Sequence, residues 1–364
     1  MRAAILREAG HPLRIEEVQL ADPGPGEIRV RVEAAGVCHT DYHYMQGQMS
    51  CPLPAVLGHE GAGIVEAVGP GGSEKVAVGD RVAFLWRPRC GKCEACITGN
   101  PVLCVLGRVQ AVGGSLPDGS IRLSQDGETV HHFLGVSCFA EHVVVSDQSV
   151  VRVPDGVPPE IAAIAGCAVI TGVGAVMNAT SRTAGRAMLV FGAGGVGLSA
   201  VMGARLVGAD PIIVVDVDPA KFDLARELGA THIIDGRGDV LAELQKIVPD
   251  GVPWAIEAVG RTQTLELAFS CLAPGGTLVA VGLGAVDSGF RVPVNELVQR
   301  QKHVIGSLYG SSNPLVDLPR IFGLYLSGRL PLDRLLGDRM PLDDVDAAYR
   351  QLVAGSVGRS VLIP

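Results

Sequence analysis

Positive charge is in short supply in this chain. Thirty Lys and Arg stand against 38 Asp and Glu, a net charge of −8 with a pI near 5.6. That balance argues against nucleic acid or an acidic membrane as a partner. The opening residues Met1-Arg-Ala-Ala-Ile-Leu-Arg-Glu8 have no apolar core of signal-peptide length, so a cytoplasmic location is expected. Long hydrophobic runs are also scarce. Ile161 to Met177 comes nearest to a membrane span, with Thr171 its only polar side chain apart from Cys167. Its length is at the lower limit for a span, and its three glycines and the Pro158-Pro159-Glu160 helix start favour a buried helix pair. No tract is biased in composition, and 48% apolar with 19% charged residues describes a globular chain. At 364 residues it is long enough for two domains, each with its own core.

The most informative stretch runs from Met188 to Asp216. Met188 to Phe191 has the length of a buried strand, and Gly192-x-Gly194-x-x-Gly197 follows it at once. Gly192 permits the tight turn, Gly194 lets a pyrophosphate approach the backbone, and Gly197 lets the next helix pack close on the sheet. The N–H groups at that helix start face the phosphates. A second buried strand, Pro211 to Asp216, ends in an acid placed to bind a ribose diol. With Asp218 close by and no arginine in Val217 to Phe222, a 2′-phosphate would meet like charge, so NAD is expected rather than NADP. From about Ala168 strands alternate with helical segments, as a doubly wound parallel sheet requires.

Upstream the pattern is different. To about residue 153 the chain is broken into short strand-like runs: Ile28, Val30 and Val32 alternate, and Gly61 to Val68 and Val76 to Leu85 repeat the theme. Nine cysteines without an export signal suggest a reducing compartment, where clustered cysteines serve metals more often than disulfides. Cys90, Cys93, Cys96 and Cys104 can close a tetrahedral zinc site with no open position. Their segment is otherwise poor in apolar residues, so the metal would supply its folding energy. Cys38, His59 and Cys167 are further candidate zinc ligands.

Taken together, the glycine turn, the Cys/His/Cys set and the four-cysteine lobe resemble the zinc-dependent alcohol dehydrogenases of the medium-chain dehydrogenase/reductase superfamily, over nearly the whole chain. The resemblance implies an α/β protein with a Rossmann domain at 168–305 and a β-rich, GroES-like catalytic domain at 1–167 and 306–364, bearing a structural zinc lobe at about 90–104. It implies two Zn2+ per chain, the catalytic one on Cys38, His59 and Cys167 with a fourth position for the substrate oxygen. By the same match Thr40 and His43 form a proton relay, Asp41 supports His59, and Glu60 sits behind the metal. NAD would be held by Thr171, Gly192, Gly194, Gly195, Val196, Gly197, Asp216 and Lys221, and its pyrophosphate by Arg359 with His39, where some members carry arginine. Residues 105–135 are expected to be a long loop region with a hairpin turn at Gln125-Asp-Gly127, resembling an insert of the longer, often homodimeric members.

The implied chemistry is hydride transfer from an alkoxide. Zinc lowers the pKa of a bound oxygen, Thr40 takes the proton, and His43 hands it to solvent. Met49, Trp86, Phe133, Leu134 and Leu283 match substrate-pocket positions and are all apolar, which favours an aromatic or allylic primary alcohol or aldehyde of medium size. Arg108 favours the alternative of a thiol-dependent formaldehyde dehydrogenase, against which Met49 stands where those enzymes carry an acid. A metal-free reductase would lack Cys38, His59 and Cys167, and a structural protein with a vestigial nucleotide site would show no turnover.

Overall fold

In the strand Glu27–Gly36, Ile28, Val30 and Val32 are buried while Arg29, Arg31 and Glu33 turn outward, the period-two pattern of a sheet with one dry face. The computed structural model describes residues 1–364, and the side chains of all but 109–111. It divides into two units, Met1–Cys167 with Asn313–Pro364, and Ala168–Ser312.

In the first unit, Glu27–Gly36 pairs antiparallel with Glu60–Val68, His142–Ser146 and the closing strand Arg359–Ile363. Gly63 lies so close to the Arg31 carbonyl that any β-carbon there would overlap it. A second sheet runs from Arg14–Glu17 through Arg2–Leu6, Ala55–Val56 and Glu128–His132 to Leu123–Gln125 and Gln19–Leu20. The turn between Leu123–Gln125 and Glu128–His132 places Asp126 (φ 50°) and Gly127 (φ 83°) in the left-handed region, as two-residue hairpins prefer. The last part of the chain completes this core: helix Val345–Ala354 buries Val345, Ala348 and Tyr349 against Phe139 and its neighbours.

Two expectations need correction here. Residues 105–135 are not one long loop, because Val105–Gly113 is a helix ended by Gly114 in the left-handed conformation. Gly107 and Gly113 disguised its apolar spacing at 105, 106, 109 and 112. The expected helix pair over 161–177 is instead one helix, Pro159–Ala179, whose middle, Ala165–Val169, widens to a π-turn. Its residues 161–170 are all buried in the protein, which accounts for their apolar character.

The second unit is a six-stranded parallel sheet. Its order is His232–Asp235, Ile212–Asp216, Met188–Phe191, Val252–Glu257, Leu272–Ala280 and His303–Gly306. Numbered along the chain this is 3-2-1-4-5-6, the doubly wound order with its switch point at the end of Met188–Phe191. Leu189, Phe191, Ile213, Val215, Ala255 and Leu278 form its core. The unit ends at Ser312 rather than 305, since His303–Gly306 is the sixth strand. The turn that follows then packs on helix Ile170–Ala179, with Asn178 donating to the Gly310 carbonyl at 3.1 Å.

Candidate active site

Cys38, two residues beyond the strand Glu27–Gly36, caps the helix His39–Met45, its sulfur accepting the Thr40 N–H at 3.5 Å. One turn in, Asp41 is fully buried. Its Oδ1 accepts the Gly58 N–H at 3.1 Å and lies 3.2 Å from Nδ1 of His59. That contact commits Nδ1 and leaves Nε2 to face the thiols, 3.4 Å from the Cys167 sulfur. Cys167 comes from the π-turn. Ligand atoms of Cys38, His59, Glu60 and Cys167 all lie within 4.8 Å of one another, and all four residues are buried.

The electrostatics of this cluster suit a cation. The Cys167 thiol donates to Cys38 and holds it well below the usual thiol range, against burial and with help from Arg359 and His59. Cys167, which keeps the shared proton, is pushed well up by that bond and by burial. Burial works to lower the pKa of His59, but Asp41 and Cys38 together prevail and raise it well above the ordinary value. Two sulfurs and one oriented imidazole form a zinc donor set with one coordination position to spare.

Glu60 shares the cluster, yet its carboxylate is taken by Arg359. Nε of Arg359 donates to Oε2 at 3.1 Å and Nη2 donates to Oε1. Burial raises the Glu60 pKa and outweighs the Arg359 guanidinium, which pulls the other way, so that it stands at about 7. Arg359, the residue expected at the pyrophosphate, is 4% exposed and engaged with Glu60. A carboxylate buried beside thiolates demands a countercharge, and Arg359 is where it comes from.

The sulfurs of Cys90, Cys93, Cys96 and Cys104 also lie within 4.8 Å of one another. Backbone N–H groups aim at them, Cys93 to the Cys90 sulfur at 3.3 Å and Cys90 to the Cys104 sulfur at 3.2 Å. The N–H groups of Val105 and Cys96 bring Cys93 down to about 6, while desolvation lifts Cys96 to about 12. Four converging sulfurs at C-x2-C-x2-C-x7-C spacing fit a closed tetrahedral zinc.

Around the first cluster, Thr40 and His43 stand three apart on one short helix and so share a face. Nδ1 of His43 is 2.5 Å from Oε1 of Gln48, which fixes Nδ1 as the donor and leaves Nε2 to accept. Gln48 lies beyond the helix, and nothing in its sequence position announced it. His39 is exposed next to Thr40. Trp86 and Phe133 present their rings edge-on to His59, at 6.2 and 5.9 Å, and Tyr44 braces Phe133 at 4.8 Å. Met49 packs half-buried on the same core, and Leu134 is buried with a left-handed backbone. Arg108 is exposed on the helix Val105–Gly113.

In the second unit, Gly192 (φ 92°) turns the chain, and Gly197 touches the Gly192 carbonyl so closely that no side chain fits. Gly194 has open space where a β-carbon would point, as approach of a phosphate requires. Gly195 and Val196 begin the helix Gly195–Leu206. Asp216 accepts the Ala193 N–H at 2.6 Å and the Asp218 N–H at 2.9 Å, tying the strand end to the glycine turn. Lys221 stands 4.0 Å from Asp216 and 3.7 Å from Asp218. Thr171 is half-buried on the helix Ile170–Ala179, and Leu283 is 46% exposed.

A doubly wound sheet with this turn, on one chain with a buried set of two sulfurs and an imidazole and a second set of four sulfurs, defines a metal-dependent dehydrogenase. Residues 24–155 match the alcohol dehydrogenase GroES-like domain, and residues 195–321 match the zinc-binding dehydrogenase domain. The chain is 36% identical to a Mycobacterium tuberculosis protein provisionally named alcohol dehydrogenase D, over 99% of both chains. It superposes with a TM-score of 0.94 on an alcohol dehydrogenase zinc-binding domain protein from Burkholderia ambifaria, at 37% identity over 100% of this chain and 98% of that one. With benzyl alcohol dehydrogenase from Acinetobacter calcoaceticus the TM-score is 0.93 at 33% identity, over 100% and 98%. The chain belongs to the zinc-dependent alcohol dehydrogenases of the medium-chain dehydrogenase/reductase superfamily and is an oxidoreductase that works with a nicotinamide dinucleotide.

Proposed function

We propose that this chain transfers hydride reversibly between an aromatic or allylic primary alcohol, or its aldehyde, and NAD, with two zinc ions per chain. The observation that carries the substrate class is the ring wall of Trp86 and Phe133 standing edge-on to His59. Such a wall rewards a flat apolar substrate with about 25 cal/mol for each Å² it covers and offers nothing to a peptide-like polar tail. The similarity to a benzyl alcohol dehydrogenase supports the same class.

Cys38, His59 and Cys167 would hold the catalytic zinc, whose Lewis acidity makes an alcohol acidic enough to lose its proton at neutral pH. Asp41 keeps His59 in the tautomer that presents Nε2. The Thr40 hydroxyl receives the substrate proton, and His43, its ring held by Gln48, passes it to solvent. Cys90, Cys93, Cys96 and Cys104 would hold the second zinc for stability alone. Asp216 and Asp218 favour NAD because a 2′-phosphate would face two carboxylates, with Lys221 already shared between them. The small-molecule substrate would be met in the cytoplasm, without nucleic acid or membrane, by a homodimer. The outer strand His303–Gly306 supports the dimer: all four residues are exposed, and an open strand edge is a ready template for pairing.

The test compares kcat/KM for benzyl alcohol with that for S-hydroxymethyl-glutathione, with NAD and with NADP, alongside metal analysis. Preference for benzyl alcohol and NAD with two zincs is expected. Preference for the thiol adduct, lost in Arg108→Ala, would overturn the substrate reading.

A further inference from the structure

The aromatic wall beside His59 is itself held in place, by a residue outside every motif. Arg87 follows Trp86 directly, and its guanidinium carbon stands 5.6 Å from the centre of the Trp86 ring, within cation–π range. Its stem lies along the helix Val105–Gly113: a methyl group on Gly107 would sit 3.0 Å from Cδ and 3.4 Å from Nη1 of Arg87. The side chain is half-buried, and burial lowers its pKa. Among the described residues its buried Nε has no hydrogen-bond acceptor. The indole face is thus a stacking partner of a partly desolvated cation that also has Cys104 and Tyr44 nearby.

We propose that Arg87 is a positioning residue that sets substrate specificity, by stacking on Trp86 and fixing the plane of the indole beside His59. The proposal rests on the reading of Trp86 as a pocket residue. A tryptophan is free to turn about two side-chain bonds, and only some of its rotamers place the ring edge-on to His59, as found at 84°. A flat aromatic substrate needs that plane fixed before it binds, whereas a two-carbon alcohol touches too little of it to care. Arginine suits the task because its guanidinium is planar and weakly hydrated. A lysine ammonium is a strongly hydrated point charge and would hold the ring less well.

The chain has two tryptophans, so Trp254→Phe leaves Trp86 as sole fluorescent reporter. In that background Arg87→Met should raise acrylamide quenching of Trp86 about twofold as the stacked cation is lost. It should lower kcat/KM for benzyl alcohol about tenfold, equivalent to about 1.4 kcal/mol, while changing that for ethanol less than about twofold. Arg87→Lys should fall between, and it serves alone if the Met variant does not fold. Unchanged quenching with an unchanged benzyl-to-ethanol ratio would overturn the proposal. So would an equal fall for both alcohols, the mark of a purely structural role. Should the unmutated chain oxidise neither alcohol, the functional reading fails. The quenching then decides Arg87 by itself: a rise supports its hold on Trp86, and no change refutes it.

Discussion

His132 offers a sharp link between acidity and the integrity of the pocket wall, because it ends the strand Glu128–His132 immediately before Phe133. It is 1% exposed, and its Nε2 accepts the backbone N–H of Arg122 at 3.1 Å. The ring is therefore neutral with its proton on Nδ1, which has no acceptor among the described residues. Burial, with Arg122 and His131 nearby, holds its pKa down to about 3. In the unfolded chain the value returns to about 6.5, so below that pH the unfolded state takes up a proton that the folded state refuses. Stability from this group is complete above about pH 6.5 and is lost as the pH falls toward 3. At about pH 5 the loss is about 2 kcal/mol, from about 1.36 kcal/mol for each pH unit below 6.5. In a unit of roughly two hundred residues that corresponds to about 4–8 °C in Tm. Gln at this position keeps an acceptor for the Arg122 N–H and does not titrate. Circular dichroism melts of the unmutated chain and His132→Gln, from about pH 7.5 to about pH 5, isolate the effect, since every other acid-sensitive group is common to both. The unmutated protein should lose about 4–8 °C more than the variant over that range. Parallel curves would refute the assignment of a neutral, buried His132.

Other consequences follow from the same geometry. Asp41→Asn should weaken zinc binding at the Cys38, His59 and Cys167 set by about 10–100-fold, read by competition with a chelator; equal affinity would mean that Asp41 does not orient His59. Arg359→Leu strands the Glu60 carboxylate and should destabilise by about 3–5 kcal/mol, with most of it recovered in Arg359→Leu/Glu60→Gln; equal losses in single and double variants would contradict the ion-pair account. Cys93→Ala should lower yield and Tm before it alters kcat, whereas Cys38→Ala should abolish turnover in a folded protein, and one zinc per fully loaded chain would refute the division of labour. Asp216→Gly should erode the ratio of NAD to NADP in kcat/KM, and an unmutated preference for NADP would contradict the role given to Asp216.

Features set by local chemistry were legible along the chain. The glycine turn, the acid at Asp216 and the spacing of Cys90, Cys93, Cys96 and Cys104 are short-range patterns, and the structure places them as an open turn at a strand end and a convergent set of sulfurs. The alternation at Ile28, Val30 and Val32 likewise marks a strand whichever partner it finds. What the sequence left open depends on contacts between distant residues. Glu60 and Arg359 are 299 positions apart, and only the pairing of Arg359–Ile363 with Glu27–Gly36 brings that guanidinium to that carboxylate. The helix Val105–Gly113 was hidden by its glycines, one of which, Gly107, lies against Arg87. The hold of Arg87 on Trp86 and of Tyr44 on Phe133 has no motif, because a ring contact needs two surfaces and a sequence displays one residue at a time. Ligand types and turn glycines are thus written locally, whereas countercharges and the plane of a pocket wall are decided by the tertiary fold, where burial makes an unpaired charge too costly to leave alone.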